Sequence, residues 1–166
     1  MSNASTTTPR DRDSSTVAVL SINDAGEILT LQRAAYLTEA AAHNDFNLPP
    51  LTQTLAELTD ELGDPSVTAL GIREGGRLVG AVRVRRSEDA VELGRLIVAP
   101  DRQGQGIGTR LLLHAETVHS GASEMRLFTG EHSAANLRLY ARYGYRETSR
   151  TPAGDYQLVH LAKPLP

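Results

Sequence analysis

Apolar residues recur along the chain in two rhythms, every second position in short runs and every third or fourth in longer ones. The rhythm separates strands from helices. Residues 16–22 (TVAVLSI) are apolar and β-branched and predict a first strand. Asn23 or Asp24 then caps a helix, with Glu27 three residues after Asp24 as in a capping box. Ile28, Leu31, Ala35 and Ala42 share one face of that helix, and Gln32, Tyr36, Glu39 and His43 a neighbouring one. The helix stops near Asn44, because Pro49 and Pro50 forbid its continuation. Thr52 is the expected cap of a second helix that buries Leu55, Leu58 and Leu62 and ends at Gly63.

Strands are expected over residues 66–73, 77–86 and 90–98, the first two joined by the hairpin signal Glu74-Gly75-Gly76. In the second of these, Leu78, Gly80, Val82 and Val84 lie on one side and charged residues on the other, which predicts one solvated face. A glycine-rich turn after Pro100 opens a helix carrying Ile107, Leu111, Ala115 and Val118, ended by Gly121. Residues 124–129 predict a strand. Residues 133–143 predict a short helix, capped by Ser133 and stopped by Gly144, and residues 145–149 and 155–162 a closing pair of strands. The order β-α-α-β-β-β-α-β-α-β-β makes one mixed α/β domain over 16–166, with about seven mostly antiparallel strands and about four helices. Residues 1–15, rich in Ser, Thr, Asp and Arg, read as a disordered lead-in and not as a signal peptide or anchor.

Composition narrows the chemistry. The net charge of −3 lacks the basic excess that a duplex nucleic-acid partner calls for, and the cluster Arg83, Arg85, Arg86 reads as a solvated strand end. The absence of cysteine excludes a disulfide framework, a thiolate zinc site and a cysteine-linked intermediate. No His/Asp/Glu set has metal-ligand spacing, so no metal is expected. No run approaches the roughly 18 apolar residues that span a bilayer. The expectation is a cytoplasmic protein with no membrane partner.

The most informative stretch is VELGRLIVAPDRQGQGIGTR, residues 91–110. A strand leads in, a proline ends it, Gly104, Gly106 and Gly108 alternate, and an amphipathic helix leads out. Glycines at a strand-to-helix turn let the backbone approach a ligand, and the helix's free N–H groups then bind anionic oxygens. A phosphate or pyrophosphate fits. Thr109-Arg110 replaces the Lys-Ser/Thr of a P-loop, and the G-x-G-x-G spacing departs from the dinucleotide fingerprint. A flexible turn without a ligand stays open on the glycines alone.

Gln103-Gly104-Gln105-Gly106-Ile107-Gly108 resembles the Q/R-x-x-G-x-G/A signature of the GCN5-related N-acetyltransferases, and Leu96-Ile97-Val98-Ala99-Pro100 resembles the strand before it. Asn136-Leu137-Arg138-Leu139-Tyr140 with Tyr143-Gly144-Tyr145 is similar to the family's N-x-x-x-x-Y-x-x-x-G-F/Y segment. The resemblance implies a GNAT-like fold, acetyl-CoA as cosubstrate, and an amine as acceptor.

It also implies site residues. Gln103, Gly104, Gly106, Ile107, Gly108 and Thr109 would hold the pyrophosphate, with help from Arg102. Leu96, Ile97 and Val98 would run along the pantetheine, and Asn136 would touch the cofactor or cap local backbone. Tyr140 is the candidate acid for the departing thiolate, and Glu92, four residues before Leu96, the candidate base. Tyr36, Glu39, His43 and segment 44–50 mark the acceptor side, where Glu39 and Asp45 would attract a cationic amine. Without cysteine, direct transfer in a ternary complex is favoured. A CoA-binding sensor that has lost its acceptor chemistry is the alternative. Homodimers are common in the family, although no apolar stripe here demands one.

Overall fold

A computed structural model describes residues 16–166. The lead-in expected at 1–15 lies outside them. The elements are β1 (Val17–Leu20), α1 (Ala25–His43), α2 (Pro49–Thr52), α3 (Leu55–Gly63), β2 (Val67–Glu74), β3 (Arg77–Ser87), β4 (Ala90–Val98), α4 (Ile107–Ala115), β5 (Glu124–Gly130), α5 (Ala134–Arg142), β6 (Arg146–Ala153) and β7 (Tyr156–Pro164). The seven strands form one sheet in the order β1-β2-β3-β4-β5-β7-β6. Every neighbouring pair is antiparallel except β4 and β5, which run parallel. The mixed α/β domain expected from the sequence is the one observed, with a fifth, four-residue helix added by Pro49-Pro50.

That added turn displaces one expected cap. Prolines suit the first turn of a helix, so 49–52 coil and Thr52 ends them. The box that starts α3 is Thr54 with Glu57, closed by bonds of 3.0 and 3.2 Å. Leu58 is buried, whereas Leu55, at the first position of α3, is exposed. The first capping box also sits one turn earlier than expected: Ser21 pairs with Asp24 ahead of α1, and Asp24 supplies no side-chain cap to α1 itself. Glu27 is drawn away by Arg73 at 2.6 Å and by the Leu78 amide. Asn44, in the left-handed region, closes α1 as expected, but Ala42 faces solvent. Helix α4 stops at Ala115, short of Val118, where the Thr117 hydroxyl donates to the His114 carbonyl.

Over residues 78–84 strand β3 has no solvated face. Val79, Ala81 and Arg83 are as buried as Val82 and Val84, because α4 covers one side and α1 the other. Gly80 lets α4 come close: a Cβ there would stand 2.5 Å from Ile107 Cγ2 and 2.9 Å from Leu111 Cδ1. On the opposite face the Arg83 guanidinium, read as solvated from the sequence, is 4% exposed. It donates to Glu61 at 2.9 Å and to Gln32 at 3.0 Å, and Gln32 donates to the Pro50 carbonyl at 2.8 Å. One cation thereby ties α1, α2 and α3 to the sheet. Burial draws Arg83 below its ordinary pKa and the charge of Glu61 opposes that. Removing the carboxylate strands a buried charge. Glu61→Ala is expected to cost about 3 kcal/mol of stability, read as a lower urea midpoint at unchanged slope.

Candidate active site

Two irregularities in β4 make the site. The register pairs Ala81 with Ile97 and then Arg83 with Gly94, so Arg95 and Leu96 of β4 stand opposite Val82 alone. This is a β-bulge, which bends its strand and re-aims side chains. Arg95 sits at φ 54°, a left-handed conformation that a non-glycine residue rarely adopts. Second, β4 and β5 pair only through Ala90, Val91 and Glu92. Beyond Glu92 the parallel strands part company, and the β4 backbone facing β5 has no strand partner.

Two cavities flank the opening. The first, about 370 Å³, runs beside the glycine turn. Leu96, Ile97 and Val98 form one wall, Arg102, Gln103 and Gly104 its mouth, Gly106, Ile107, Gly108 and Thr109 the start of α4, and Asn136 of α5 the far side. Gly104 and Gly106 have φ of 75° and 83°, and a Cβ on either would meet only open space. The N-cap of α4 is Gly106 itself, so no side chain covers the helix's first N–H groups. That arrangement fits a pyrophosphate, whose charge the helix N-terminus favours. Arg102 is already held by Glu74 at 2.9 Å.

The second cavity, about 600 Å³, lies between α1, segment 44–50, the splayed ends of β4 and β5, and β7. Tyr36, Glu39, Leu96 and Asn136 line both cavities, so the two meet there. Glu39 is fixed at this junction: Ser133 Oγ donates to its Oε2, and Asn136 Nδ2 donates to Oε1 at 3.3 Å. Tyr140 lies alongside. Its ring is buried edge-on against Tyr145 at 5.8 Å, and its hydroxyl has no hydrogen-bond partner among the described residues. Burial, then the neighbouring Tyr36 and Glu39, pushes the Tyr140 phenol well above its ordinary pKa.

The acetyltransferase (GNAT) family model matches residues 30–145, well over half of the chain. The chain belongs to the GNAT family. An IAA acetyltransferase of Azospirillum brasilense is 32% identical over 99 residues, covering 57% of this chain and 63% of that protein. The YqkA protein of Bacillus subtilis is 25% identical over 137 residues, 82% of this chain and 39% of its own length. The chain therefore spans less than two thirds of either curated relative. The PaiA N-acetyltransferase of Thermoplasma acidophilum, solved in complex with coenzyme A, matches at a TM-score of 0.74 and 20% identity. The match covers 90% of this chain and 99% of that one, a likeness of fold.

Within this GNAT domain one expected site residue stands apart. Glu92 is exposed and lines neither cavity. It lies where β4 still pairs with β5, level with Arg126, before the strands separate. Glu92, the base expected from the sequence, thus lies apart from both cavities. His43 lines the larger cavity, but both ring nitrogens are engaged, Nδ1 by the Glu39 carbonyl at 2.9 Å and Nε2 by the His132 amide at 3.1 Å. Its ring packs against Tyr156 at 4.5 Å, and a Cβ on Gly130 would collide with it at 2.2 Å. His43 is therefore a fixed wall. Arg95 and Tyr156 also line this cavity, and no periodicity singled them out. Among the described residues no group of three or more His, Asp or Glu is placed to hold a metal ion, and no helix is long and apolar enough to cross a membrane.

Proposed function

We propose that this GNAT chain is an acetyl-CoA-dependent N-acetyltransferase that passes the acetyl group directly to an amine in a ternary complex. The observation that carries the reading is the meeting of the two cavities at Tyr36, Glu39, Leu96 and Asn136. A thioester threaded from the glycine turn along β4 would reach an acceptor held on the other side. Acetyl-CoA, when bound, supplies the activated acyl group and a thiolate leaving group.

The chain's own residues divide the remaining work. The opening turn of α4 binds the pyrophosphate, and the unpaired edge of β4 offers main-chain groups to the pantetheine amides and to the developing oxyanion. Glu39 takes the proton of the incoming amine, directly or through one water. Tyr140, held protonated by burial, donates to the departing sulfur. Glu92 has no part in this reading.

Thermal-shift titration with acetyl-CoA, CoA, ATP and NAD tests the cofactor. Ligand at about 100 times its Kd stabilises by roughly 2.7 kcal/mol, a rise of several degrees. A rise with the CoA ligands alone is expected. A response to ATP or NAD only would refute the reading. The turn itself is tested by Gly106→Val, which places a β-branched residue at φ 83° in the phosphate path. CoA affinity should fall roughly 100-fold, the order expected when one or two charge-assisted hydrogen bonds can no longer form.

A further inference from the structure

Arg95 is a cationic side chain of the larger cavity that the acyl transfer leaves unused. Its backbone is held at φ 54° in the bulge of β4; the other described non-glycine residue with positive φ is Asn44, a residue type that tolerates the conformation. A strained position maintained by the surrounding fold invites a functional reading when its side chain faces a cavity. Arg95 lines the larger cavity, and its Nε is buried with no hydrogen-bond partner. No Asp or Glu pairs with it among the described residues. Its neighbours are the Tyr36 hydroxyl, which burial keeps a neutral phenol, and the guanidinium of Arg83, which already has Glu61. A second cation and a neutral oxygen leave Arg95 uncompensated, whereas other arginines of the sheet are paired: Arg73 with Asp24, Arg85 with Asp64, Arg150 with Glu147.

The same cavity carries negative charge elsewhere. Glu39 stands where it meets the cofactor groove, and Asp45, which accepts from Tyr156 at 3.0 Å, lies on the loop after α1. One cavity thus offers carboxylates for a cationic amine and, for an anion with paired oxygens, a planar guanidinium that meets the Tyr36 hydroxyl but no carboxylate.

We propose that the acceptor is a small amino carboxylate whose carboxylate is bound by Arg95 while its amine faces Glu39. The inference rests on the acyltransferase reading and names its substrate class. Arg95 is then a specificity residue, and loss of the carboxylate from the acceptor removes its partner.

The test pairs amines that differ only in that group. Thiol release from acetyl-CoA, and thermal shift of the CoA-loaded protein, are measured with free amino acids, with their amides and with their decarboxylated amines. In the wild type at least one amino carboxylate should exceed its amide and amine counterparts in kcat/KM or affinity by roughly 10- to 100-fold. Arg95→Gln should erase that preference, with the CoA-induced shift retained, and Arg95→Lys should restore part of it. Equal or better use of the uncharged counterparts overturns the inference, as does a preference for amino phosphates over carboxylates. So does a CoA-loaded protein that shows no carboxylate-dependent response at all. A protein that ignores CoA refutes the acyltransferase reading, a result the CoA titration alone reveals.

Discussion

Replacing Tyr140 with phenylalanine is expected to lower kcat by roughly 10²–10⁴-fold, the usual contribution of a positioned general acid. The substitution deletes one oxygen and keeps the ring that packs on Tyr145. Because the hydroxyl holds no protein group, no buried partner is stranded by its loss. The thermal midpoint and the CoA-induced shift should therefore stay near wild type while thiol release collapses. The upward pKa shift adds a second signature. An ordinary tyrosine titrates near pH 10, and burial moves Tyr140 higher. The acid stays loaded, so no alkaline loss of rate below about pH 10 should arise from Tyr140. A domain that only senses CoA would bind it equally well and have no turnover to lose. Undiminished kcat in the phenylalanine variant would remove Tyr140 from the mechanism.

The groove beside the glycine turn was legible because its signals are local. Glycines at 104 and 106 are needed for backbone conformation, the proline ends the strand, and the helix starts at once, all within ten residues. Strand β4 kept its expected bounds for the same reason. The acceptor side depends on distances that no local pattern encodes. Glu92 and Glu39 differ in no sequence property that marks one as exposed and the other as pinned. What separates them is a strand pairing that ends at residue 92 and two donors from the segment 133–136. Arg83 and Arg95 look like ordinary alternating charges on strands. Only the helices packed over β3 make Arg83 a buried tie, and only a bulge gives Arg95 its left-handed backbone. The spacing of Gln32, Tyr36, Glu39 and His43 did place four residues on one face. The structure divides that face by depth. Gln32 joins the Arg83 network and His43 is locked between Glu39 and His132, while Tyr36 and Glu39 reach the junction.

Glu39→Gln carries the second large effect. An amine acceptor with a lysine-like pKa of about 10.4 arrives protonated at neutral pH, and a carboxylate at the junction both attracts it and relieves it of the proton. Glutamine preserves the shape and one carbonyl acceptor, so the bond from Ser133 survives and the fold is spared. It cannot accept a proton. The expected result is a fall in kcat/KM of roughly 10²–10³-fold, with CoA binding intact. Charge and proton transfer separate on raising the pH. An acceptor delivered already deprotonated needs no base, so the variant should recover as pH approaches the amine's own pKa, while the wild type gains less. A deficit that persists unchanged at high pH would make Glu39 a positioning residue for the site and not the amine's base. Equal rates in variant and wild type at neutral pH would return the search for a base to Asp45 and water. The donors from Ser133 and Asn136 make the first outcome the one the geometry supports, since they fix both carboxylate oxygens of Glu39 at the point where the cavities join.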